Sequence, residues 1–140
     1  MRAGDRAPDA SGLEIVSAAT DGVQRICLFD LFNPARHTVL VFIPPGGEAS
    51  ATVTSIVDVI KDQPAGTIQT YAIFAHEYAV EAQTPNFDGL LVDKDGYASG
   101  AYHTRSVDGV LSVIVRPDGV VGGILTNATG LAQYFSSIFS

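Results

Sequence analysis

Apolar positions along this chain fall into short β-branched runs and two helical repeats. Val110-Leu111-Ser112-Val113-Ile114-Val115 is almost continuously apolar, the pattern of a strand covered on both faces. Arg116-Pro117-Asp118-Gly119 follows, then Val120-Val121-Gly122-Gly123-Ile124, so a β-hairpin is expected over residues 110–124. Pro117 presets φ at the first central turn position, Asp118 can accept from its own backbone, and Gly119 tolerates positive φ. A strand covered on both faces belongs near the middle of a sheet, with helices packed against it.

Taken in order, residues 1–10 are polar and turn-rich and read as an extended lead-in. Runs 13–18 and 23–28 read as a hairpin with Asp21-Gly22 at its tip. Leu28-Phe29-Asp30-Leu31-Phe32 suits one helical turn that buries its aromatics, and Asn33-Pro34 breaks it. The strand at 38–43 stops hard at Pro44-Pro45-Gly46-Gly47. Over residues 48–61 the period changes: Val53, Ile56, Val57 and Ile60 make one face of a helix rich in β-branched residues, which packing must hold together. A strand at 68–74 completes a βαβ unit and implies parallel pairing. Residues 75–87 lack a clear period, 89–93 form a short strand or extended segment, and 97–102 a short helix. Leu131, Tyr134, Phe135 and Ile138 define a last helix, capped by Asn127 or Thr126. The order ββ, βαβ, short helix, ββ, α is the thioredoxin-like α/β layout: a central mixed sheet between helices, in a single domain over residues 1–140.

Composition narrows the function. The 140 residues suit one core. A net charge of −7 offers no basic stripe for nucleic acid or for an anionic membrane surface. Cys27 is the only cysteine, so neither an internal disulfide nor a two-cysteine redox centre can form. No stretch approaches the ~20 apolar residues of a membrane span, and residues 1–5 lack a signal-peptide core. The expected setting is cytoplasmic.

The chain resembles thioredoxins and peroxiredoxins in layout. In local sequence it is similar to the thioredoxin-like C-terminal domain of FAD-dependent aromatic hydroxylases, the phenol-hydroxylase-like class. The residues that carry this are Gly4-Asp5-Arg6-Ala7-Pro8-Asp9, the Leu28 to Phe32 segment, and the turn from Ile114 to Gly119. The chain departs from thioredoxins at Pro44-Pro45-Gly46-Gly47-Glu48-Ala49-Ser50, where Cys-x-x-Cys would stand at a helix N-terminus. It also has Asp108-Gly109 in place of the proline before the late strand. Thiol–disulfide chemistry is therefore not expected. No Gly-x-Gly-x-x-Gly follows a strand, so FAD and NADPH would belong to another part of a larger hydroxylase and no cofactor is expected here. The resemblance implies a redox-inactive packing or dimerisation module, partnered by its own copy or by a flavoprotein hydroxylase domain.

Several side chains invite chemistry, and each has a plainer explanation. Cys27, between Ile26 and Leu28, reads as an inert thiol. The Pro44 to Gly47 turn can offer backbone N–H groups to an anion, or simply turn a strand into a helix. His76 beside Glu77 follows a strand at its carboxyl end, where α/β sheets carry ligands; it is a general-base candidate or an exposed loop pair. Tyr102, His103 and Arg105, near Asp108, form the densest polar–aromatic group. His103 can move protons, Arg105 can hold a phenolate or carboxylate, and Tyr102 can donate a hydrogen bond; the alternative is an ordinary surface loop. The histidines, His37, His76 and His103, show no ligand spacing, so no metal is expected. The catalytic candidates Tyr102, His103, Arg105 and His76 support an alternative function: a free-standing cofactor-independent cyclase, isomerase or dehydratase acting on an aromatic or polyketide-like metabolite.

Overall fold

Two-residue alternation inside the strands divides the core in two. The computed structural model describes residues 2–15, 24–44, 51–64, 66–74, 87–102 and 109–139. In chain order the elements are β1 (Leu13–Ile15), β2 (Gln24–Ile26), a 3-10 turn (Leu28–Asp30), β3 (His37–Ile43), α1 (Ala51–Lys61), β4 (Ile68–Phe74), β5 (Gly89–Val92), α2 (Tyr97–Ala101), β6 (Leu111–Val115), β7 (Val121–Leu125) and α3 (Ala128–Phe139). The seven strands lie in the order β2-β1-β5-β4-β3-β6-β7. The β3–β4 and β4–β5 pairs are parallel, and the β1–β2, β1–β5, β3–β6 and β6–β7 pairs antiparallel. The expected βαβ unit and both hairpins are therefore present; the tip of the first, with Asp21-Gly22, lies outside the described residues.

On one face Val39, Val41 and Ile43 of β3, Ala72 and Phe74 of β4 and Ile114 of β6 pack under Val53, Ile56 and Val57 of α1 and Leu131 and Phe135 of α3. On the other, Leu40 and Phe42, Ile73, and Leu111, Val113 and Val115 meet Leu28, Ala98, Tyr102 and the lead-in residues Ala7 and Ala10. Each large side chain buried in this way contributes about 1.5–3 kcal/mol, which holds a β-branched helix such as α1 where its propensity does not. Asn127 caps α3, its side-chain oxygen accepting the Gly130 N–H at 2.8 Å.

The structure corrects four expectations. β6 is buried along its whole length, yet it stands second from the sheet edge, between β3 and β7. Helices do not need a central strand to cover it; α3 on one side and the lead-in on the other suffice. The lead-in is not merely extended: Gly4 and Ala7 donate to Val121 and Gly119, and Asp5 accepts from Val121, so it zips onto the β7 edge and satisfies backbone groups an edge strand leaves open. The turn after Cys27 buries Leu28 and leaves Phe29 56% exposed, because three residues of 3-10 helix present only one side to the sheet. Ile138 of α3 is also exposed rather than in the core. Gly119, at φ +82°, follows Pro117 and Asp118 in the β6–β7 turn as its sequence requires.

Candidate functional site

β3, β4 and β5 run parallel, so their carboxyl ends share one edge of the sheet, and antiparallel β6 starts there. Of the Pro44 to Gly47 turn only Pro44 is described. His76, His103 and Arg105 lie outside the described residues, as do Glu77 and Asp108. Tyr102 is described and is a core residue, 1% exposed. Its ring lies 5.5 Å from that of Phe42, and its hydroxyl donates to the Pro8 carbonyl at 2.6 Å. Burial, and then the carboxylate of Asp9, push its ionisation well above the ordinary tyrosine range. Tyr102 thus ties the lead-in to the sheet, and its hydroxyl is already engaged there. At the same edge the buried Asp93 carboxylate accepts from Ala98 and Ser99 N–H groups at 3.3 and 2.9 Å, anchoring the start of α2.

Cys27 sits just after β2 at the entrance to the 3-10 turn. Its N–H donates to the Asp30 carboxylate at 3.0 Å. Partial burial and the carboxylates of Asp9 and Asp30 raise its thiol pKa, so the thiolate needed for attack on a disulfide or peroxide is scarce near neutral pH.

At the opposite edge the described residues form an open groove of about 770 Å³. Ala3 and Gly4 of the lead-in, His37 at the start of β3, the Arg116-Pro117-Asp118 turn, Val121 and Gly122 of β7, and Tyr134 and Ile138 of α3 line it. The β3–β6 register pairs Thr38 with Val115, and its continuation sets His37 opposite Arg116. Arg116 reaches Asp118 at 2.6 Å, both half exposed. The His37 ring meets Tyr134 and Phe135 edge-on, with centroids 6.0 and 6.1 Å away. Gly122 is the floor: a methyl group there would overlap the Tyr134 hydroxyl and would lie 3.2 Å from Arg116 Cγ. Partial burial lowers the His37 pKa; Arg116 adds to this and Asp118 opposes it. Burial likewise raises that of Tyr134. At neutral pH the groove therefore presents a neutral imidazole, a neutral phenol and a guanidinium held by one carboxylate. Among the described residues no cluster of three or more metal-ligating side chains occurs.

Sequence reasoning passed over this group because each member had a local explanation. Arg116 and Asp118 served a turn, Tyr134 a helical repeat, and His37 entered only as a candidate metal ligand. The usable signal was the pairing of the late hairpin with the strand that starts at His37.

Solved structures resemble the chain over its whole length. The thioredoxin domain of a thiol-disulfide oxidoreductase from Bacteroides vulgatus superposes with a TM-score of 0.70 at 12% identity, covering 100% of this chain and 99% of that one. AhpC of Mycobacterium bovis gives 0.72 at 15%, over 100% and 93%. A 2-Cys peroxiredoxin of Plasmodium vivax gives 0.67 at 17%, over 97% and 95%. The fold is thioredoxin-like. No family model and no curated protein matches the chain.

These structural neighbours do not support the expected function. They are a thiol-disulfide oxidoreductase, AhpC and a peroxiredoxin, and nothing among them supports an aromatic-hydroxylase domain. The ancillary or dimerisation role, and the cyclase, isomerase or dehydratase alternative, are set aside with it. Local likenesses such as the Arg116-Pro117-Asp118-Gly119 turn are explained by hairpin geometry, which many unrelated chains share. The thioredoxin-like fold nevertheless lacks Cys-x-x-Cys here, since the chain has one cysteine. Among the described residues no helix is long and apolar enough to cross a membrane.

Proposed function

We propose that this thioredoxin-fold protein acts by binding a small organic molecule, and that the groove over Gly122 is where it binds. The observation that carries the reading is the convergence of His37, Arg116, Asp118 and Tyr134, from three separate elements, on a glycine floor. A guanidinium, a phenol and an imidazole supply directional polar contacts, and Pro117 and Ile138 supply apolar wall. Cys27 supports the same reading from the other side: its position and its raised thiol pKa suit a structural residue.

The test pairs an amide chemical-shift screen of small organic acids, bases and neutral compounds with thiol assays on the same sample. Ligands that shift the amides of His37, Gly122 and Tyr134 together support binding in the groove. Reduction of insulin disulfides or consumption of hydroperoxide, lost in Cys27→Ser, would replace binding with thiol chemistry.

A further inference from the structure

The groove also carries information about which ligand it takes; this inference rests on the binding reading above and refines it. Among the described residues, Arg116 is the one cation lining it. A guanidinium has five N–H donors in a planar fork that matches a carboxylate. The ion pair with Asp118, at 2.6 Å, engages one terminal nitrogen. That pair is half exposed on both sides, and such pairs add little stability, so a ligand can share or displace Asp118 at small cost. The Tyr134 hydroxyl and the Arg116 stem lean over the same glycine, which brings a second donor to the same spot. Beside the His37 imidazole, the wall offers apolar and aromatic surface from Pro117, Ile138 and the Tyr134 ring.

Charge sets the other limit. The chain carries −7 overall, and Asp118 lies beside Arg116. A polyanion such as a nucleoside diphosphate would meet repulsion that one guanidinium does not offset. A single negative charge on an apolar body fits both constraints.

We propose that the groove selects small monocarboxylates with a ring-sized apolar body, the carboxylate seated on Arg116 and the Tyr134 hydroxyl, and the body against the Tyr134 ring, Pro117 and Ile138. No bond is made or broken in this proposal.

The experiment titrates the full chain with benzoate, cyclohexanecarboxylate, benzamide, benzylamine and inorganic phosphate, following amide shifts and heats of binding. Benzoate and cyclohexanecarboxylate are expected to shift His37, Gly122 and Tyr134 at concentrations where benzamide, benzylamine and phosphate do not. Arg116→Gln, at an exposed turn, should weaken the carboxylates about tenfold or more while leaving the folded spectrum unchanged elsewhere. Raising salt from low to physiological concentration should weaken them too. Benzamide binding as well as benzoate, with Tyr134→Ala abolishing both, would overturn the carboxylate class and leave groove binding standing. Failure of every probe to shift groove amides would overturn both. Unchanged benzoate affinity in Arg116→Gln would overturn the assigned role of Arg116.

Discussion

Replacing Tyr102 by Phe separates packing from hydrogen bonding at the lead-in clasp. The ring stays against Phe42 at 5.5 Å, so no cavity opens. Only the hydroxyl that donates to Pro8 at 2.6 Å is lost. A single buried hydrogen bond contributes about 0.5–1.5 kcal/mol net, so Tyr102→Phe should be destabilised by about 1 kcal/mol at pH 8 in urea unfolding. Tyr102→Ala is a different perturbation: it empties a fully buried aromatic site and should cost about 3–5 kcal/mol, a large share of a small domain's stability.

The two effects part company in alkali. The Tyr102 pKa is raised in the folded protein, so the native state holds its proton after the unfolded chain has released it. Stability from this group is therefore complete below the unfolded value and declines as pH rises past about 10. At pH 11 the unfolded tyrosine gains about 1.4 kcal/mol by ionising, which the wild-type protein loses in stability and Tyr102→Phe does not. Tyr71 and Tyr134 are raised as well, but they are common to both proteins and cancel in the difference. The deficit of the variant should shrink steadily above pH 9.5 and vanish near pH 11. A deficit that stays constant from pH 8 to pH 11 would refute the burial argument and with it the clasp.

Ser112 is 1% exposed and its hydroxyl has no hydrogen-bond partner among the described residues; an orphaned polar group costs about 1–3 kcal/mol, so Ser112→Ala should raise stability by about 1 kcal/mol in urea titration. Gly122→Ala puts a methyl group onto the Tyr134 hydroxyl; overpacking of this kind costs about 1–3 kcal/mol, and the groove shifts expected with benzoate should disappear with the displaced phenol. His37 has a lowered pKa through burial and Arg116, against Asp118, so the unfolded chain takes up its proton first as pH falls. Stability should therefore decrease as pH drops through about 6.5 toward the folded value, and His37→Phe should flatten that limb of a thermal-melt series.

Most of the architecture was legible because the core strands and helices carry unambiguous periods. Val53, Ile56 and Val57 on α1 and Leu131 and Phe135 on α3 are buried where their spacing puts them. The parallel β3–β4 pair follows from a helix between two apolar runs. Exposure at short elements was less legible. Phe29 lies in a three-residue turn, where periodicity has no repeat to establish a face. The pairing of Gly4, Asp5 and Ala7 with β7 was hidden for another reason: it uses backbone groups, which polar, turn-rich side chains do not announce.

The candidate site was harder to read because its chemistry depends on register and phase rather than on residue type. His37 is 79 positions from Arg116, and only the pairing of Thr38 with Val115 brings them side by side. Tyr134 falls on the same α3 face as Phe135 and Leu131, so period alone assigns it to the core. It becomes a lining residue because Gly122 beneath it has no side chain to fill the space. Tyr102 is the converse case: a polar aromatic beside His103 and Arg105 that looks chemical in sequence, yet is buried on Phe42 and bound to Pro8. A tyrosine's hydroxyl is available to a ligand only where its surroundings leave it unclaimed, and among the described residues that distinguishes Tyr134 over its glycine floor from Tyr102 under the lead-in. Swapping the two roles is the sharpest consequence: Tyr134→Phe should change ligand affinity with little effect on folding, whereas Tyr102→Phe should change folding with little effect on ligand affinity. If both variants moved the same quantity, the division between clasp and groove would fail.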